Sequence, residues 1–466
     1  MPGAPTRLDG RKAPGDPWAN PFLHWHEMGR NDDGRLGFVQ MARAPEPKTR
    51  RKAQKRRRRR LGPLLMTLAV AGTAAVFGLW IAVNRVEWLG PYVADGLRAV
   101  VGVDAVANLE DFTYRLQDRW NRVWRKGEKP RAYWTVPAVR PAPPPKAAPQ
   151  ELGPEAAADD DGPPPFHLAD VGPVHKEWSA PGDGEWVAIG ALDLTNDSPV
   201  MLKTLLHPDK NRSWAEVFVV AIDLRRVRPY LLPGRKEPQA TEDAAQDMSR
   251  PGVIPVGSRD RVLAAFNGGF KTEHGQYGMA VDGTTLVRAR PGVCAVALYK
   301  DDSVRVATWD KLGDENTMVW WRETPVCMYE DGVLHWRLAD PSLAKKWGAT
   351  LDGETVIRRS AIGINADHSV LFVSISNHTT ARVIADGMRH AGAVTVAQLD
   401  VNYSYPKFVT FEKKKDLDEG EAAKRIAIPL ADGFEFSEDE YIREPSRRDF
   451  FYLMPKDADR RTALKK

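Results

Sequence analysis

The sequence predicts an α/β domain outside the cytoplasm, built on a mixed, β-rich sheet with one β-α-β crossover and preceded by a single transmembrane helix. Three observations predict it: a long uncharged apolar segment near the N-terminus, a proline-rich segment after it, and short β-branched and aromatic runs thereafter. Of the 466 residues 42% are hydrophobic, enough for a sizeable core. The mean hydropathy of -0.44 excludes a protein with many membrane spans.

The positive charge is concentrated in the first 60 residues. They contain 16 Lys and Arg against 6 Asp and Glu, whereas the whole chain has a net charge of +5. The remainder is therefore acidic and does not offer the basic surface that nucleic-acid binding requires. We interpret residues 1–60 as a cytoplasmic basic tail, with Met1 and Met41 both open as the start of translation.

Residues 61–84 contain no charged side chain. As a helix they would extend about 36 Å, enough to cross ~30 Å of hydrocarbon. Five arginines, 56–60, stand directly before them, and the positive-inside rule keeps such a segment in the cytoplasm. We therefore expect a signal-anchor of the inner membrane, with the C-terminal part periplasmic, in preference to a cleaved signal peptide with its shorter apolar core.

Residues 85–135 are predicted to form a membrane-proximal helical region. Apolar residues recur there in steps of three and four, which predicts an amphipathic helix over residues 104–126. The stripe consists of Val106, Leu109, Phe112, Leu116, Trp120 and Val123. Three uses of the helix stay open: contact with lipid, pairing with a second copy in a homo-oligomer, and packing on its own domain.

Residues 136–180 are rich in proline and alanine and are predicted to form a semi-rigid linker. The globular domain is then expected to occupy residues 181–466. The strands predicted in it are residues 215–224, 261–266, 292–300, 303–309 and 370–376. The pairs Asp282-Gly283 and Asp331-Gly332 predict two-residue hairpin turns.

One helix is predicted between two strands of this domain. Thr379 is a suitable N-cap for a helix over residues 380–391, and Gly392 is a suitable end. Because the helix separates the strands 370–376 and 393–399, the sequence predicts a β-α-β crossover with parallel strands.

Polar residues follow two predicted strands. Asp400 comes directly after the strand 393–399, and Asn267-Gly268-Gly269 follow residues 264–266. Ligands collect beyond the carboxyl ends of parallel strands, and glycine amides can hold an anion. Both segments are therefore candidates for a binding site.

Several segments, in this order and spacing, resemble the phosphodiester glycosidase family over residues 264–404. They are AAFNGGF at 264–270, HGQYGMAVDG at 274–283, RSAIGI at 359–364, the helix 380–393 and LD at 399–400. The resemblance implies hydrolysis of a sugar–phosphate diester bond. No cofactor is expected and no residue is assigned as a metal ligand, and metal dependence stays open.

The resemblance also implies roles for individual residues. The catalytic candidates are Asp400, Arg359 and Asn267; the substrate-binding candidates are Gly268, Gly269, His274, Thr380 and Ser404. An arginine fork suits a phosphate, and a carboxylate suits the positive charge that develops on the sugar ring. The expected partner is a phosphodiester-linked sugar of an envelope glycan.

The sequence departs from the family at one motif. The family usually has Leu-Asp-Gly-Gly-Gly-Ser, whereas this chain has Val401, Asn402 and Tyr403 between Asp400 and Ser404. Side chains replace three glycines, which alters both backbone freedom and space. Three functions therefore stay open: an active hydrolase, a glycan-binding module without turnover, and an envelope scaffold.

The chain has two cysteines, Cys294 and Cys327. In an oxidising compartment they are able to form a disulfide, and the alternative is two buried thiols. Neither has the paired spacing of a zinc site.

Overall fold

The computed structural model describes residues 103–137, 166–189, 199–344, 347, 353–402, 404–413 and 425–456, with the isolated positions 66, 71, 72 and 78. The chain divides into two compact units, Met1–Arg85 and Val86–Lys466, and the elements below belong to the second. The predicted tail and nearly all of residues 61–84 lie outside the described residues. Within the described residues, no helix has the length and apolar character to span a bilayer.

The second unit contains four α-helices and eighteen strands among the described residues. The helices are α1 Val103–Trp124, α2 Trp336–Ala339, α3 Pro341–Ala344 and α4 Ala381–His390. The strands are β1 Val187–Ala188, β2 Met201–Leu206, β3 Val217–Asp223, β4 Val227–Leu232, β5 Ala264–Asn267, β6 Met279–Val281, β7 Thr284–Val287, β8 Cys294–Tyr299, β9 Val304–Thr308, β10 Met318–Thr324, β11 Tyr329–Glu330, β12 Val333–Leu334, β13 Ile357–Ile364, β14 Val370–Thr379, β15 Thr395–Val401, β16 Phe408–Lys413, β17 Arg425–Pro429 and β18 Phe450–Pro455.

These strands form three sheets rather than the one sheet that the sequence predicts. The largest has the order β1-β2-β3-β14-β13-β15-β11-β12, and two five-stranded sheets have the orders β7-β6-β10-β8-β9 and β17-β16-β5-β18-β4. The paired strands in all three sheets run antiparallel. The strand-rich character predicted from the sequence is confirmed.

The predicted β-α-β crossover is present in part. β14, α4 and β15 follow one another, and β14 and β15 run in the same direction because each pairs antiparallel with β13. The expectation of neighbouring parallel strands is wrong, because β13 lies between them. All eight residues of β13 are buried, as expected for a central strand.

Helix α4 begins and ends close to the predicted positions. Its N-cap is Thr380, one residue later than predicted, and the Thr380 hydroxyl accepts a hydrogen bond from the Val383 amide at 3.2 Å. Gly392 follows the helix with φ of 115°, a backbone conformation that favours glycine. The buried face of the helix, which includes Ile384 and Met388, packs on the large sheet.

Both predicted hairpin turns are confirmed. Asp282-Gly283 joins β6 to β7 and Asp331-Gly332 joins β11 to β12, and all four residues have positive φ.

Cys294 and Cys327 form a disulfide, so the first of the two expectations for these residues is confirmed. The bond links β8 to the chain just after β10.

The main core lies where the three sheets meet. It contains Phe218 of the large sheet together with Phe266 and Trp320 of the two smaller sheets, and all three side chains are buried. The Phe266 ring stacks between those of Phe408 and Phe451, with centroids 5.8 and 5.1 Å away. This packing fixes the end of β5 inside the domain, and with it Asn267.

Part of the predicted linker is packed. Residues 166–180 are described, and Phe166 is buried in a cluster with Trp186 and Leu206 of the domain. The middle of the linker, residues 138–165, lies outside the described residues.

Helix α1 confirms the predicted helix over residues 104–126 within two residues at each end. From Phe112 to Val123 its apolar stripe does not pack on the domain. Phe112, Leu116, Trp120 and Val123 are exposed, whereas Asp118 on the opposite side is buried. For this part of the stripe the expectation that it packs on its own domain is therefore wrong, because the described contacts with the domain involve Asp118 and Arg125.

Candidate active site

Asn267 is the last residue of β5, and its side chain is fully buried. Its amide nitrogen donates to the Ser360 hydroxyl at 2.7 Å, and its carbonyl oxygen accepts from the Lys407 amide at 3.1 Å. Buried amides are held in place when their polar atoms are paired in this way. Asn267 therefore joins β5 to β13 and to the chain entering β16.

Ser360 extends this connection to Asp400. The Ser360 hydroxyl donates to the Asp400 carbonyl at 3.0 Å, and the Asp400 amide donates to the Gly268 carbonyl at 3.2 Å. Asn267, Ser360 and Asp400 thus form one hydrogen-bonded chain across three strands, β5, β13 and β15.

The sequence predicted that Asp400 follows the strand. In the structure Asp400 lies within β15. Ala361 pairs with Gln398, but Arg359 pairs with Val401, so β15 has one extra residue beside Asp400. Such a β-bulge bends the strand and redirects side chains, and bulges are frequent next to active sites. The strand continues through the bulge for one more residue, Val401.

The Asp400 carboxylate has two described partners. One oxygen forms an ion pair with the Arg448 guanidinium, and the other accepts from the Val401 amide at 2.9 Å. The Arg448 guanidinium also lies over the Tyr405 ring, 4.6 Å from its centroid. The Asp400 residue is 1% exposed and the Arg448 side chain 14%, so a ligand that approaches Asp400 from solvent meets Arg448 first.

The Asn-Gly-Gly turn binds an anion, and that anion belongs to the chain itself. The Gly268 amide donates to the Asp449 carbonyl, and the Gly269 amide donates to the Asp449 carboxylate, both at 2.9 Å. The carboxylate is paired in turn with the Nε atom of Arg322 at 2.8 Å. The two amides that the sequence offered to a substrate are therefore occupied by Asp449.

The same contacts explain the two glycines. A Cβ atom at Gly268 would lie 2.3 Å from the Asp449 carboxylate, and one at Gly269 would lie 2.8 Å from the Arg322 guanidinium carbon. Neither distance is possible between non-bonded atoms, so the buried ion pair requires glycine at both positions.

Arg322 binds several backbone carbonyls as well as Asp449. It is fully buried, and its guanidinium donates to the carbonyls of Phe270 at 2.6 Å and Tyr277 at 2.9 Å. A buried guanidinium is stable only when its five donors are paired in this manner. The Arg322–Asp449 pair thereby fastens the chain after β5 to β10 and to the start of β18.

Arg359 is placed beside Asp400 but its described partners lie elsewhere. Its Cα is paired with that of Val401, the residue after Asp400. The guanidinium donates to the carbonyls of Thr379 at 3.2 Å and Thr355 at 2.9 Å. In the described contacts, the arginine that pairs with the Asp400 carboxylate is Arg448.

The remaining predicted residues have local contacts in the structure. Thr380 caps α4, and the Nε2 atom of His274 lies 3.4 Å from the Glu273 carboxylate. The Ser404 amide donates to the Asn402 side chain at 3.1 Å. Tyr403 lies outside the described residues. In the described ranges, no three His, Cys, Asp or Glu side chains are grouped closely enough to hold a metal ion.

Surface pockets occur elsewhere on the domain. One is lined by residues that include Glu242 and Trp309, and another by residues that include Arg305 and His368. Asp400 lines neither of these two pockets. It lies in a buried polar network that reaches solvent beside Arg448.

Sequence reasoning missed four residues of this network: Ser360, Arg322, Arg448 and Asp449. The signal for the last two is weak but present, since charged residues stand directly before a strand, β18, that is buried along its whole length.

Residues 260–401 match the family model described as phosphodiester glycosidase. The resemblance predicted from the sequence is thus confirmed for this segment. It includes Asn267, Ser360 and Asp400, whereas Arg448 and Asp449 lie beyond it.

Three solved structures are similar to the chain at low identity. The zebrafish N-acetylglucosamine-1-phosphodiester alpha-N-acetylglucosaminidase catalytic domain, auto-inhibited by its pro-peptide, has 16% identity and a TM-score of 0.34, over 58% of this chain and 87% of that one. A hypothetical protein from Synechocystis has 10% identity and a TM-score of 0.30, over 55% and 62%. A putative exported protein from Burkholderia pseudomallei has 13% identity and a TM-score of 0.27, over 52% and 74%. These TM-scores are too low to support an argument, and no curated protein sequence matches the chain.

Proposed function

We propose that the domain of residues 181–466 hydrolyses a sugar–phosphate diester bond at the carboxylate of Asp400. One observation carries the proposal. Asp400 lies at the end of the segment that matches the phosphodiester glycosidase family, buried at a β-bulge and paired with an arginine that reaches solvent. A carboxylate redirected by a bulge and held by a cation is typical of a functional site.

The chemistry needs two opposite charges close together. When the bond at the anomeric carbon breaks, positive charge develops on the sugar ring and a phosphate monoester leaves. In the proposed reaction, Asp400 stabilises or attacks the ring carbon, or activates the water that does so. Arg448 holds the phosphate, since a guanidinium binds two phosphate oxygens at once.

This assignment changes the role of Arg359 in the proposal. The sequence suggested Arg359 as the phosphate ligand, but its guanidinium donates to the carbonyls of Thr379 and Thr355. Arg359 then acts as a positioning residue that holds β13 against the loop before it and the end of β14. Asn267 acts similarly through Ser360, which binds the Asp400 carbonyl.

The location belongs to the same proposal. Residues 61–84 anchor the protein in the inner membrane after the cytoplasmic arginines 56–60, and the domain acts in the periplasm on an envelope glycan. The disulfide between Cys294 and Cys327 is compatible with that compartment, because disulfides persist where conditions are oxidising. A reporter enzyme that works only in the periplasm, fused after Lys466, tests the topology: we expect activity, and an inactive fusion contradicts it.

A second candidate function is glycan binding without hydrolysis. It is favoured by Val401 and Asn402, which stand where the family usually has glycine, and by the pairing of Asp400 with Arg448. On this alternative the fold and the site persist, and the bound sugar is released unchanged.

The experiment compares the full chain with two variants on a panel of N-acetylglucosamine phosphodiesters. The wild type is expected to release free sugar, and Asp400→Asn is expected to lower the rate by at least about a thousandfold, as loss of an essential carboxylate does. The matched control is Asp223→Asn, which alters another fully buried, arginine-paired aspartate outside the matched segment. It should keep the activity. Melting temperatures verify that each variant is folded.

Two results would redirect the assignment. Saturable binding of a diester that is recovered intact from the wild type supports the binding module. Equal rates for the wild type and Asp400→Asn place the reaction at another residue and overturn the role of Asp400.

A further inference from the structure

Helix α1 turns five large apolar side chains toward solvent. They are Phe112 (63% exposed), Leu116 (54%), Trp120 (63%), Val123 (72%) and Trp124 (70%). The spacing of the first four in steps of three and four places them along one side of the helix. A contiguous apolar patch on a single element indicates a surface that another apolar phase covers.

The opposite side of the helix is fixed to the domain by polar contacts. The carboxylate of Asp118, 6% exposed, accepts from the Arg212 guanidinium at 2.7 and 2.9 Å and pairs with Arg122 at 2.9 Å. Arg125 lies over the Trp214 ring, 5.1 Å from its centroid. Because Asp118 is about half a turn away from Leu116 and Trp120, these contacts hold the apolar stripe outward.

The charges beside the exposed part of the stripe favour an anionic partner. Between Phe112 and Lys126 there are five cations and one acid, and that acid is the inward-facing Asp118. Arg119 and Lys126 are exposed beside the stripe. Over Phe112–Lys126 a second copy would bring cations toward cations, because the acids Glu110 and Asp111 precede this stretch and Glu128, the partner of Arg125, follows it. An anionic surface would complement the exposed Arg119 and Lys126.

We infer that α1 lies in the surface of an anionic lipid bilayer, with its apolar stripe among the upper acyl chains and its arginines at the headgroups. Tryptophan and arginine are the residues that such interfacial helices use. The choice of a bilayer rests on the proposed membrane anchor, the uncharged run 61–84, which precedes α1 in the sequence. The inference is independent of whether Asp400 catalyses a reaction, because it concerns another element.

The disulfide makes a sharp test possible. Both cysteines of the chain are bonded to each other, so an introduced cysteine is the sole free thiol. The full chain carrying Leu116→Cys is placed in nanodiscs that hold one copy each and contain phosphatidylglycerol. Its reaction with a charged, membrane-impermeant maleimide is compared with that of Gln117→Cys, an exposed neighbour about 100° around the helix.

We expect Leu116→Cys to react at least tenfold more slowly than Gln117→Cys in these discs. Adding Arg119→Glu and Lys126→Glu should remove most of that protection, because the charge that draws the helix to the anionic surface is reversed. Leu116 is exposed, so its replacement should leave the melting temperature unchanged.

Three results would overturn the inference. Equal rates at the two positions show an uncovered stripe. Protection that appears only when two copies share a disc shows that a second copy covers it. Protection that is unchanged by the charge reversal shows that anionic lipid is not the partner.

Discussion

Two regions of the molecule differ in which residues they bury. The network around the Asn-Gly-Gly turn buries charged residues, whereas helix α1 exposes apolar ones. In the network, Arg322, Asp449 and Asp400 are at most 1% exposed, whereas α1 exposes Phe112 and Trp120 by 63% each. Buried charges are tolerated only when paired, and exposed apolar surface is unusual unless something covers it. The buried charges of the first region are paired within the chain, whereas the second region leaves apolar side chains exposed, which is the basis for the proposed lipid contact.

The largest expected effect tests whether the buried network is complete in itself. Asp449→Ala removes the partner of Arg322 and of the Gly269 amide, and we expect the free energy of unfolding to fall by about 3–5 kcal/mol. Denaturant unfolding of the full chain measures it. Arg288→Ala, which removes an 82% exposed partner of Glu242, is the control and should change stability by less than about 1 kcal/mol. Equal effects of the two variants would contradict the network's role.

The next effect concerns the pH dependence of stability, which depends on His378 of β14. Burial, and then the positive charges of Arg125 and Arg358, lower the pKa of His378 to about 4. In the unfolded chain the pKa is about 6.5, so unfolding takes up a proton between these values. Stability is therefore complete above pH 6.5 and decreases as the pH falls toward 4, by up to about 3 kcal/mol.

His378→Gln is expected to flatten this decrease. Unfolding free energies at pH 7, 5.5 and 4.5 for the wild type and the variant measure the difference. The same slope in both proteins would show that His378 is not the group responsible.

A smaller effect is expected at the turn itself. Gly268→Ala places a methyl group 2.3 Å from the Asp449 carboxylate, which should cost about 1–3 kcal/mol as the pair shifts. Gly257→Ala is the control, because a Cβ atom there meets nothing within 4 Å. Thermal unfolding of both variants gives the comparison. A Gly268→Ala protein as stable as Gly257→Ala would mean that Asp449 does not occupy the space beside the turn.

The smallest effect is expected on α1. Leu116→Ser removes an exposed apolar side chain, and the free energy of unfolding in the absence of lipid should change by less than about 0.5 kcal/mol. Chemical denaturation checks this. A loss comparable with that of a buried leucine would show that the stripe packs within the protein, and the contrast between the two regions would disappear.

Local features of the fold could be predicted from the sequence. The helix over residues 380–391, the turn at Asp282-Gly283 and the strand over residues 370–376 each depend on a short segment, and all three are found within a few residues. The order of strands could not be predicted, because β13 enters between β14 and β15 through long-range pairing that no local pattern expresses.

The candidate site shows the same limit. Asn267 and Asp400 carry recognisable motifs, but the contact between Gly269 and Asp449 joins residues 180 positions apart. It arises because β18 pairs with β5, and this pairing is a property of the whole domain. Likewise, periodicity identified the apolar stripe of α1, but its outward orientation depends on a contact between Asp118 and Arg212 that joins residues 94 positions apart.

Asp400, held by Arg448, is proposed to break a sugar–phosphate diester bond. Phosphorus NMR of a diester incubated with the full chain follows that bond directly, because a diester and a monoester have distinct resonances. We expect the wild type to convert the diester signal to the monoester signal, and we expect the diester signal to persist with folded Asp400→Asn. Persistence with the wild type across the substrate panel, or conversion by both proteins, would contradict it.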